Sequence, residues 1–326
     1  MELIILGSSA AIPVNNRNLP SVALTYNSNI ILFDCGEDLQ RKFNDAKLKF
    51  NKPLIILISH FHGDHIIGLP GLLFRFNLID RTAPVSIIGP KDLFLYLFFH
   101  SKILGLKANY PLNIYEIDHE KQLLTEYNGL LSDSPKSQYQ IKNNIILEEK
   151  RFNIRYCKVD HSIDTYAYSF IEDHRYGRFH PEKAEDLGIP QSRLWKKLQS
   201  GEKITFKDKI IDPYKEGIVD SKIPGRKITY SGDTKPCETL IRLGKDSDII
   251  VHEATFSKEL SKIAVEKMHS TSVDAASDAK KMNAKLLVLT HISSRYQEDA
   301  QLLLEEAKQI FPNSILAEDL MRLEIK

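Results

Sequence analysis

The sequence predicts an α/β fold in which two mixed β-sheets are covered by helices. Short apolar segments of strand-like composition alternate with longer helix-like segments along most of the chain. A second observation is that strand after strand ends in a histidine or an aspartate, at Asp34, His60, His161, Asp233, His252 and His291. Because ligands bind beyond the carboxyl ends of strands in α/β sheets, we expect these side chains to converge on one edge.

The first half of the chain supplies one alternating set of elements. Strands are predicted at 3–6, 21–26, 29–33, 54–58, 85–88 and 112–117. Helices are predicted over 38–43, from a turn near 66 through 73, and over 91–104. The polar, Ser-rich stretch 128–144 is predicted as a surface loop or the tip of a hairpin.

The second half repeats the alternation on either side of an insertion. Strands are predicted at 154–159, 167–171, 227–230, 248–251 and 286–289, and helices over 258–268 and 272–282. Between 172 and 215 the alternation stops. The part of this stretch from Gln191 to Lys215 has seven basic and three acidic residues and contains the sole tryptophan, Trp195. We therefore predict a single domain, 1–326, with an inserted basic arm at 172–215; the alternative is a lysine-rich solvated loop.

Composition limits the classes of function. The 326 residues carry 44 Lys plus Arg against 43 Asp plus Glu, so no overall field attracts nucleic acid or membranes and an anionic ligand needs a local patch. No apolar run has the length of about 18 residues that a spanning helix needs, and the N-terminus reads as a strand rather than a signal peptide. Three widely spaced cysteines indicate a reducing compartment. We expect a soluble, cytoplasmic protein.

The stretch Ser59-His60-Phe61-His62-Gly63-Asp64-His65 carries the chemistry. In an extended segment the side chains of His60 and His62 point the same way and can bind one metal ion. Gly63 lets the chain turn, so that Asp64 and His65 can face a second ion. Imidazole nitrogen and carboxylate oxygen are ligands that Zn²⁺ prefers. A solvated, His-rich loop is the alternative, but four ligand-type residues at one strand end argue against it.

Ligands from distant strand ends complete this prediction. His161 could join His60 and His62, His291 could join Asp64 and His65, and Asp233 could bridge the two ions. Alone, either histidine would be read as polar surface, and Asp233 as a turn or helix cap. Two ions about 3.5–4 Å apart leave room for a bridging water whose pKa falls to about 7, giving a bridging hydroxide. The sequence therefore predicts a hydrolase.

Proton transfer needs further groups. His269 and the pair His252-Glu253 remain as candidate proton carriers, because ester cleavage requires an acid that protonates the departing oxygen. For His252, support of a metal ligand is an equally good interpretation.

The His60 to His65 motif is the hallmark of the metallo-β-lactamase superfamily. Further motifs make the chain resemble the tRNase Z family of tRNA 3′-processing endoribonucleases from Met1 to about Tyr296. These motifs are Leu6-Gly7-Ser8-Ser9-Ala10-Ala11-Ile12-Pro13, Arg17-Asn18, Phe33-Asp34-Cys35-Gly36-Glu37, Ser231-Gly232-Asp233-Thr234, His252-Glu253-Ala254-Thr255-Phe256, His269-Ser270-Thr271 and Thr290-His291-Ile292-Ser293-Ser294-Arg295-Tyr296.

The resemblance implies an αββα sandwich, a homodimer and two Zn²⁺ per subunit, with no nucleotide cofactor and no membrane partner. One zinc would be held by His60, His62, His161 and Asp233, and the other by Asp64, His65, Asp233 and His291. Asp64 would also orient the attacking water, His269 would assist the leaving group, and Glu253 with His252 would support it.

The implied substrate is precursor tRNA, cut after the discriminator nucleotide to leave a tRNA 3′-hydroxyl and a 5′-phosphate on the trailer. The insertion 172–215 falls where the family carries the flexible arm that binds tRNA. Substrate contacts are expected from Arg193, Lys196 and Lys197 of that arm and from Ser293 and Arg295.

Two other functions compete with this one. A small-molecule hydrolase of the same superfamily, acting on phosphodiesters or sulfate esters, would need the same metals but no basic arm. A silent RNA-binding or scaffold protein would need no complete ligand set. The basic stretch argues against the first and the intact histidines against the second.

Overall fold

The computed structural model describes residues 1–130 and 134–325. It divides into two compact units. The first unit comprises residues 1–149, 153–170 and 227–326, and the second unit comprises residues 150–152 and 171–226. The predicted arm, 172–215, lies within the second unit.

The strands follow the predicted alternation closely and are β1 (Glu2–Gly7), β2 (Ser9–Ala10), β3 (Ser21–Tyr26), β4 (Asn29–Phe33), β5 (Leu54–Leu57), β6 (Val85–Pro90), β7 (Leu112–Asp118), β8 (Leu123–Asn128), β9 (Ser137–Gln140), β10 (Ile145–Glu149), β11 (Phe152–Val159), β12 (Thr165–Glu172), β13 (Ile204–Phe206), β14 (Lys209–Ile211), β15 (Lys227–Tyr230), β16 (Ile249–Glu253), β17 (Leu286–Thr290), β18 (Ile292–Ser293), β19 (Ser314–Leu316) and β20 (Arg322–Glu324). The helices are α1 (Leu39–Asp45), α2 (Gly63–Ile66), α3 (Gly68–Leu78), α4 (Leu93–Leu104), α5 (Pro181–Asp186), α6 (Arg193–Gln199), α7 (Glu238–Gly244), α8 (Ser261–Lys267), α9 (Ser272–Lys281) and α10 (Gln301–Lys308).

Two large mixed sheets form the frame of the first unit. Within the described residues, one sheet has nine strands in the order β20-β1-β3-β4-β5-β6-β7-β8-β9, and the other has seven in the order β10-β11-β12-β15-β16-β17-β19. Strands β4 to β7 run parallel, as do β15, β16, β17 and β19. The carboxyl ends of these parallel strands carry the predicted site.

The sheets pack face to face through aromatic side chains. The rings of Phe33 and Tyr230 lie 5.5 Å apart, and the hydroxyl of Tyr168 donates to the carbonyl of Ile58 at 2.7 Å. Helices α1, α3 and α4 bury their apolar faces against the nine-stranded sheet, and α7, α9 and α10 against the seven-stranded sheet. The first unit is therefore a sandwich of two mixed sheets covered by helices, as the sequence predicts, in the αββα order that the resemblance implies.

The second unit has a small core of its own. Trp195 packs against Phe179 at 5.4 Å between ring centroids, and its indole N–H donates to the carbonyl of Ile189 at 3.0 Å. Both residues adjoin an apolar cluster that includes Leu198 and Ile218. Arg226 pairs with Glu172 through two hydrogen bonds of 2.7 and 2.9 Å. This pairing joins the start and the end of the segment 172–226.

Some boundaries differ from the predicted ones. The stretch predicted as one helix over 258–268 begins with a 3₁₀ turn, Lys258–Leu260, and continues as α8. In the polar stretch 128–144, β9 pairs antiparallel with β8, so the segment is a hairpin, and residues 131–133 lie outside the described residues. Over residues 1–130 and 134–325, no helix combines the length and apolar content needed to cross a bilayer.

Candidate metal centre

The His60 to His65 segment is held in place by backbone contacts to the end of β4. The backbone N–H of Cys35 donates to the carbonyl of His65 at 2.7 Å, and that of Gly68 donates to the carbonyl of Cys35 at 2.9 Å. A Cβ on Gly68 would lie only 1.9 Å from the carbonyl oxygen of Gly36, so only glycine allows this approach. The short helix α2 therefore presents Asp64 and His65 beside the end of β5.

The predicted ligands come together at the strand ends. Three groups of side chains each have ligand atoms within 4.8 Å of one another: His60, His62, His161 and Asp233; Asp64, His65 and His291; and Asp233, His269 and His291. Oδ2 of Asp233 lies 3.7 Å from Nε2 of His60 in the first group, 3.3 Å from Nε2 of His65 and 3.2 Å from Nε2 of His291 in the second. We call the seven residues of the first two groups the metal cluster. Asp233 lies within 4 Å of histidines from both groups.

Most cluster histidines are oriented through their second ring nitrogen. Nδ1 of His65 lies 2.7 Å from Oδ2 of Asp34, and Nδ1 of His161 lies 2.9 Å from the carbonyl of Met268. Nδ1 of His291 lies 2.7 Å from the hydroxyl of Thr255, which itself donates to Glu253 at 2.6 Å. In each case a fixed Nδ1–H leaves the Nε2 lone pair directed at the cluster, which is the arrangement that favours metal binding.

Asp34 anchors this arrangement; the sequence placed it among the strand-end residues expected to converge, but no chemical role was predicted for it. Its carboxylate accepts from the backbone N–H of Ser59 at 2.6 Å, the hydroxyl of Ser59 at 2.7 Å and the hydroxyl of Tyr230 at 2.7 Å, besides His65. Ser59 in turn lies 2.8 Å from Nδ1 of His60. The position of Asp34 directly after a buried strand was the available signal, because a buried carboxylate there must find several donors.

The electrostatics of the cluster suit a cation. Burial and the neighbouring imidazoles lower the pKa of His60, His62 and His161, so these rings are neutral at neutral pH and their lone pairs are free. Burial opposes ionisation of Asp233, but His291 and His65 outweigh it and its pKa falls well below the usual range. Burial would lower the pKa of His65, but the carboxylates of Asp233 and Asp34 outweigh it and raise that pKa well above its usual value, so a metal ion bound there would replace a proton. The neutral rings of His60, His62 and His161 beside the ionised Asp233 form a donor set that borderline divalent metals favour.

His269 and Glu253 form a pair beside the cluster, and His269 also shares the third group with Asp233 and His291. Nδ1 of His269 lies 2.8 Å from Oε1 of Glu253 and 4.0 Å from Oδ2 of Asp233. Burial alone would lower the pKa of His269, but the Glu253 carboxylate outweighs burial and raises that pKa to about 9. His269 therefore carries a proton at neutral pH, as a general acid must.

His252 is not brought to the cluster, although the sequence placed it among the candidate proton carriers. Successive residues of a strand point to opposite faces, so Glu253 faces the metal cluster and His252 does not. The His252 ring is fully buried, and its polar contacts are with the carbonyl of Glu253 at 2.7 Å and with Asp278. The structure therefore places His252 beside the Glu253 backbone and Asp278, not among the ligand atoms of the cluster.

A cleft of about 640 Å³ opens over the cluster. Its walls include Phe256, Met268, Ser293 and Arg295, and the guanidinium of Arg295 lies 5.4 Å from the centre of the Phe256 ring. The two predicted substrate-binding residues of this region thus line the cleft. The other three, on α6 of the second unit, are exposed: Arg193, Lys196 and Lys197.

Comparisons with known proteins agree with this geometry. Family models match residues 1–177, described as anti-Pycsar protein Apyc1, and residues 218–292, described as a beta-lactamase superfamily domain. Ribonuclease Z of Nitrosopumilus maritimus is 37% identical over 326 residues, covering 100% of both chains. Ribonuclease Z of Methanosarcina mazei is 36% identical over 327 residues, covering 100% of this chain and 98% of the relative. The crystal structure of human tRNase Z, short form, shares the fold with a TM-score of 0.67 at 23% identity, covering 100% of both chains.

Proposed function

This chain belongs to the ribonuclease Z family of the metallo-β-lactamase superfamily, and we propose that it removes the 3′ trailer from precursor tRNA. The cut would follow the discriminator nucleotide and leave a 3′-hydroxyl on the tRNA and a 5′-phosphate on the trailer. The observation that carries the proposal is the position of His269, held by Glu253 at 2.8 Å, beside the metal cluster at the floor of one cleft.

The seven side chains of the metal cluster are proposed to hold two Zn²⁺, with Asp233 between them. Bound there, the ions would activate a water for attack and neutralise charge on the scissile phosphate. Oδ2 of Asp64 accepts from the backbone N–H of Ala11 at 2.9 Å, which fixes the carboxylate at the cleft side of the cluster. From this position Asp64 can accept a proton from the attacking water and orient it.

His269 is proposed to donate its proton to the departing ribose oxygen. Glu253 holds Nδ1 of the ring, so Nε2 is the atom left to face the substrate. Glu253 also accepts from the backbone N–H of Thr234 at 2.9 Å and from the hydroxyl of Thr255, so its position is fixed by both neighbouring loops. The general acid is thereby aimed before substrate arrives.

The second unit, including the arm 172–215, is proposed to bind the body of the tRNA. Its α6 presents Arg193, Lys196 and Lys197 to solvent, and side chains of this kind neutralise phosphates without reading sequence. Folded RNA is recognised largely by its shape, which suits a unit that binds without base-specific contacts.

Two subunits are proposed to form a homodimer, as the family resemblance implies. One side of α4 exposes an apolar stripe, with Leu95, Phe99 and Ile103 exposed by 46%, 53% and 76% of their surfaces. Such a stripe favours association. Light scattering should give twice the chain mass for the native protein, and Phe99→Glu should reduce it towards the chain mass, while Lys91→Glu, two residues before α4, should not. A native protein of single-chain mass contradicts the dimer.

Cleavage of a 3′-extended tRNA, with and without a chelator, tests the function. We expect one discrete cut after the discriminator nucleotide, lost on chelation and restored by Zn²⁺, with metal analysis of the purified protein giving two ions per chain. Because residues 1–177 also match a family model of another description, a small chromogenic phosphodiester and a sulfate ester are assayed in parallel. Hydrolysis of these compounds without tRNA cleavage would favour the small-molecule alternative.

A further inference from the structure

A histidine and an aspartate face each other inside an otherwise apolar layer of the first unit. His252 on β16 and Asp278 on α9 are 0% and 1% exposed. The layer around them is built from aliphatic side chains of the same elements and of β17, among them Ile250, Ala275, Ala276, Ala279, Leu287 and Leu289. Ionisable side chains are almost never fully buried in this way unless they are paired.

The facing atoms have no hydrogen-bond partner among the described residues. Nε2 of His252 and both carboxylate oxygens of Asp278 are buried and lack a hydrogen bond, and Nε2 lies 3.8 Å from Oδ2. Besides this histidine, Nζ of Lys281 lies 3.6 Å from Oδ1 of the carboxylate, on a side chain that is mostly exposed. A shift of about 1 Å would bring Nε2 and Oδ2 to the 2.7–2.9 Å of a charge-assisted hydrogen bond.

We propose that His252 and Asp278 form a buried ion pair that fixes α9 against β16 and so positions Glu253 to hold His269 at the metal cluster. The pair is a positioning device for the function proposed above and rests on it. Asp278 belongs to none of the motifs that identify the family, and its part in the site follows only from its contact with His252.

Two sets of hydrogen bonds connect the pair to the site. Nδ1 of His252 donates to the backbone carbonyl of Glu253 at 2.7 Å, so the ring fixes the backbone of the residue whose side chain contacts His269. The strand end and the start of α9 are also joined by hydrogen bonds from Phe256 to Ser270 and from Ser272 to Phe256. Movement of α9 along β16 would therefore alter the distance between Glu253 and His269.

The charge state of His252 agrees with pairing. Burial alone would lower the pKa of His252, but the carboxylate of Asp278 outweighs it and raises that pKa. With the ring charged, both of its nitrogens carry protons. One donates to the Glu253 carbonyl and the other is available to Asp278.

A double-mutant cycle tests the pair. The metal-loaded forms of Asp278→Leu, His252→Leu and the double variant are compared with the native protein by chemical denaturation. Each single variant leaves one buried polar side chain without its partner, so its unfolding midpoint should fall, and the double apolar variant should recover much of that loss. Ser277→Ala, whose hydroxyl only donates to the carbonyl of Val273 on the same helix, is the matched control and should behave as native.

Kinetic measurements distinguish an effect on the position of Glu253 from an effect on protein stability alone. In the double variant, which is stable again, the Glu253 carbonyl has lost its donor, so kcat on precursor tRNA should be about 10-fold lower, since small misplacements of catalytic groups are costly. KM should be unchanged, because no substrate contact is touched. Additive losses of stability, or a stable double variant with native kcat, would overturn the proposal. If the native protein does not cut tRNA, the proposed function fails, and the stability cycle with hydrolysis of a chromogenic diester still decides the pair.

Discussion

The metal cluster and the basic face of the second unit are both concentrations of charge, but they hold it differently. In the cluster, Asp233 is 2% exposed and lies within hydrogen-bonding or ion-pair distance of several imidazoles. On α6 the basic side chains point into solvent on either side of the buried Trp195 and Leu198. The cluster holds its charges buried and at close range, whereas α6 holds its charges exposed to solvent.

Because of this difference, we expect variants of the two regions to lose different properties. Removing a group from the cluster should destroy the chemistry on every substrate, because a buried site depends on each of its ligands. Removing charge from α6 should weaken only tRNA binding, by an amount that depends on salt. Any variant that affects both regions alike would break the distinction.

The largest effect is expected from Asp233→Ala. Its carboxylate lies between both halves of the cluster, so its loss should release metal and lower activity on tRNA and on a chromogenic diester by roughly four orders of magnitude, the scale typical of removing a central catalytic group. Metal content by mass spectrometry and both assays measure this. Asp45→Ala, an exposed aspartate at the end of α1, is the control and should keep metal and activity. Full metal occupancy in Asp233→Ala contradicts the bridging assignment.

The next effect is expected at the general acid. His269→Ala should retain metal but lower kcat on tRNA by about 100- to 1,000-fold, the usual contribution of a positioned acid. The pKa of about 9 means that His269 is protonated across neutral pH, so native activity should fall as pH rises through about 9. In Glu253→Gln the carboxylate that raises this pKa is gone while burial remains, so the alkaline limb should move to lower pH. An unmoved limb in that variant contradicts His269 as the titrating acid.

The contact between His269 and Glu253 also affects the stability of the protein. The pKa of His269 is higher in the folded protein than the usual value near 6.5, so folding favours its protonated form. The stabilisation is fully present below about pH 6.5 and is lost as pH rises through about 9. The free energy of unfolding of the native protein should therefore decline over that interval relative to that of Glu253→Gln.

The sequence allowed much of the cluster to be predicted, because four of its residues lie within one short segment and the others follow apolar strands. What it could not supply was the side of each strand that faces the cluster. His252 and Glu253 are adjacent, and period-two alternation separates them without saying which one points inwards. The pairing of His252 with Asp278, 26 positions later, depends on how α9 lies across the sheet, and no local pattern encodes that.

Several elements were not predicted from the sequence, among them α7, α10, β19 and β20. Helices α7 and α10 are only seven and eight residues long, and β19 and β20 have three residues each. Segments this short have little propensity of their own and form because the sheet and neighbouring helices bury them. Strands such as β5 and β17 have only four and five residues, but they are almost entirely apolar, and that composition made them predictable.

A smaller effect, confined to tRNA, is expected from Arg193→Ala, Lys196→Ala and Lys197→Ala combined. KM for precursor tRNA should rise several-fold at moderate salt, and the dependence of log KM on log salt should flatten by about 0.7–0.9 for each phosphate that is no longer neutralised. Hydrolysis of a chromogenic diester should be unchanged. Deletion of the whole arm, 172–215, should abolish tRNA cleavage and should leave hydrolysis of the chromogenic diester unchanged. The control is a triple alanine variant of three exposed lysines of the first unit, Lys91, Lys245 and Lys308. Equal salt slopes in the two triple variants contradict the binding role of α6.

The smallest effect is expected from Trp195→Phe. The substitution keeps an aromatic ring against Phe179 but removes the N–H that donates to the Ile189 carbonyl, so the second unit should lose about 1 kcal/mol of stability. Hydrogen exchange of amides in 189–211 should accelerate by about five-fold, and those around the metal cluster should keep their native rates, because each region opens with its own free energy. Cleavage of the chromogenic diester should be native. Faster exchange at β5 or β16 as well would show that the two regions unfold together. The metal cluster and α6 would then differ in how they hold charge but not in how they unfold.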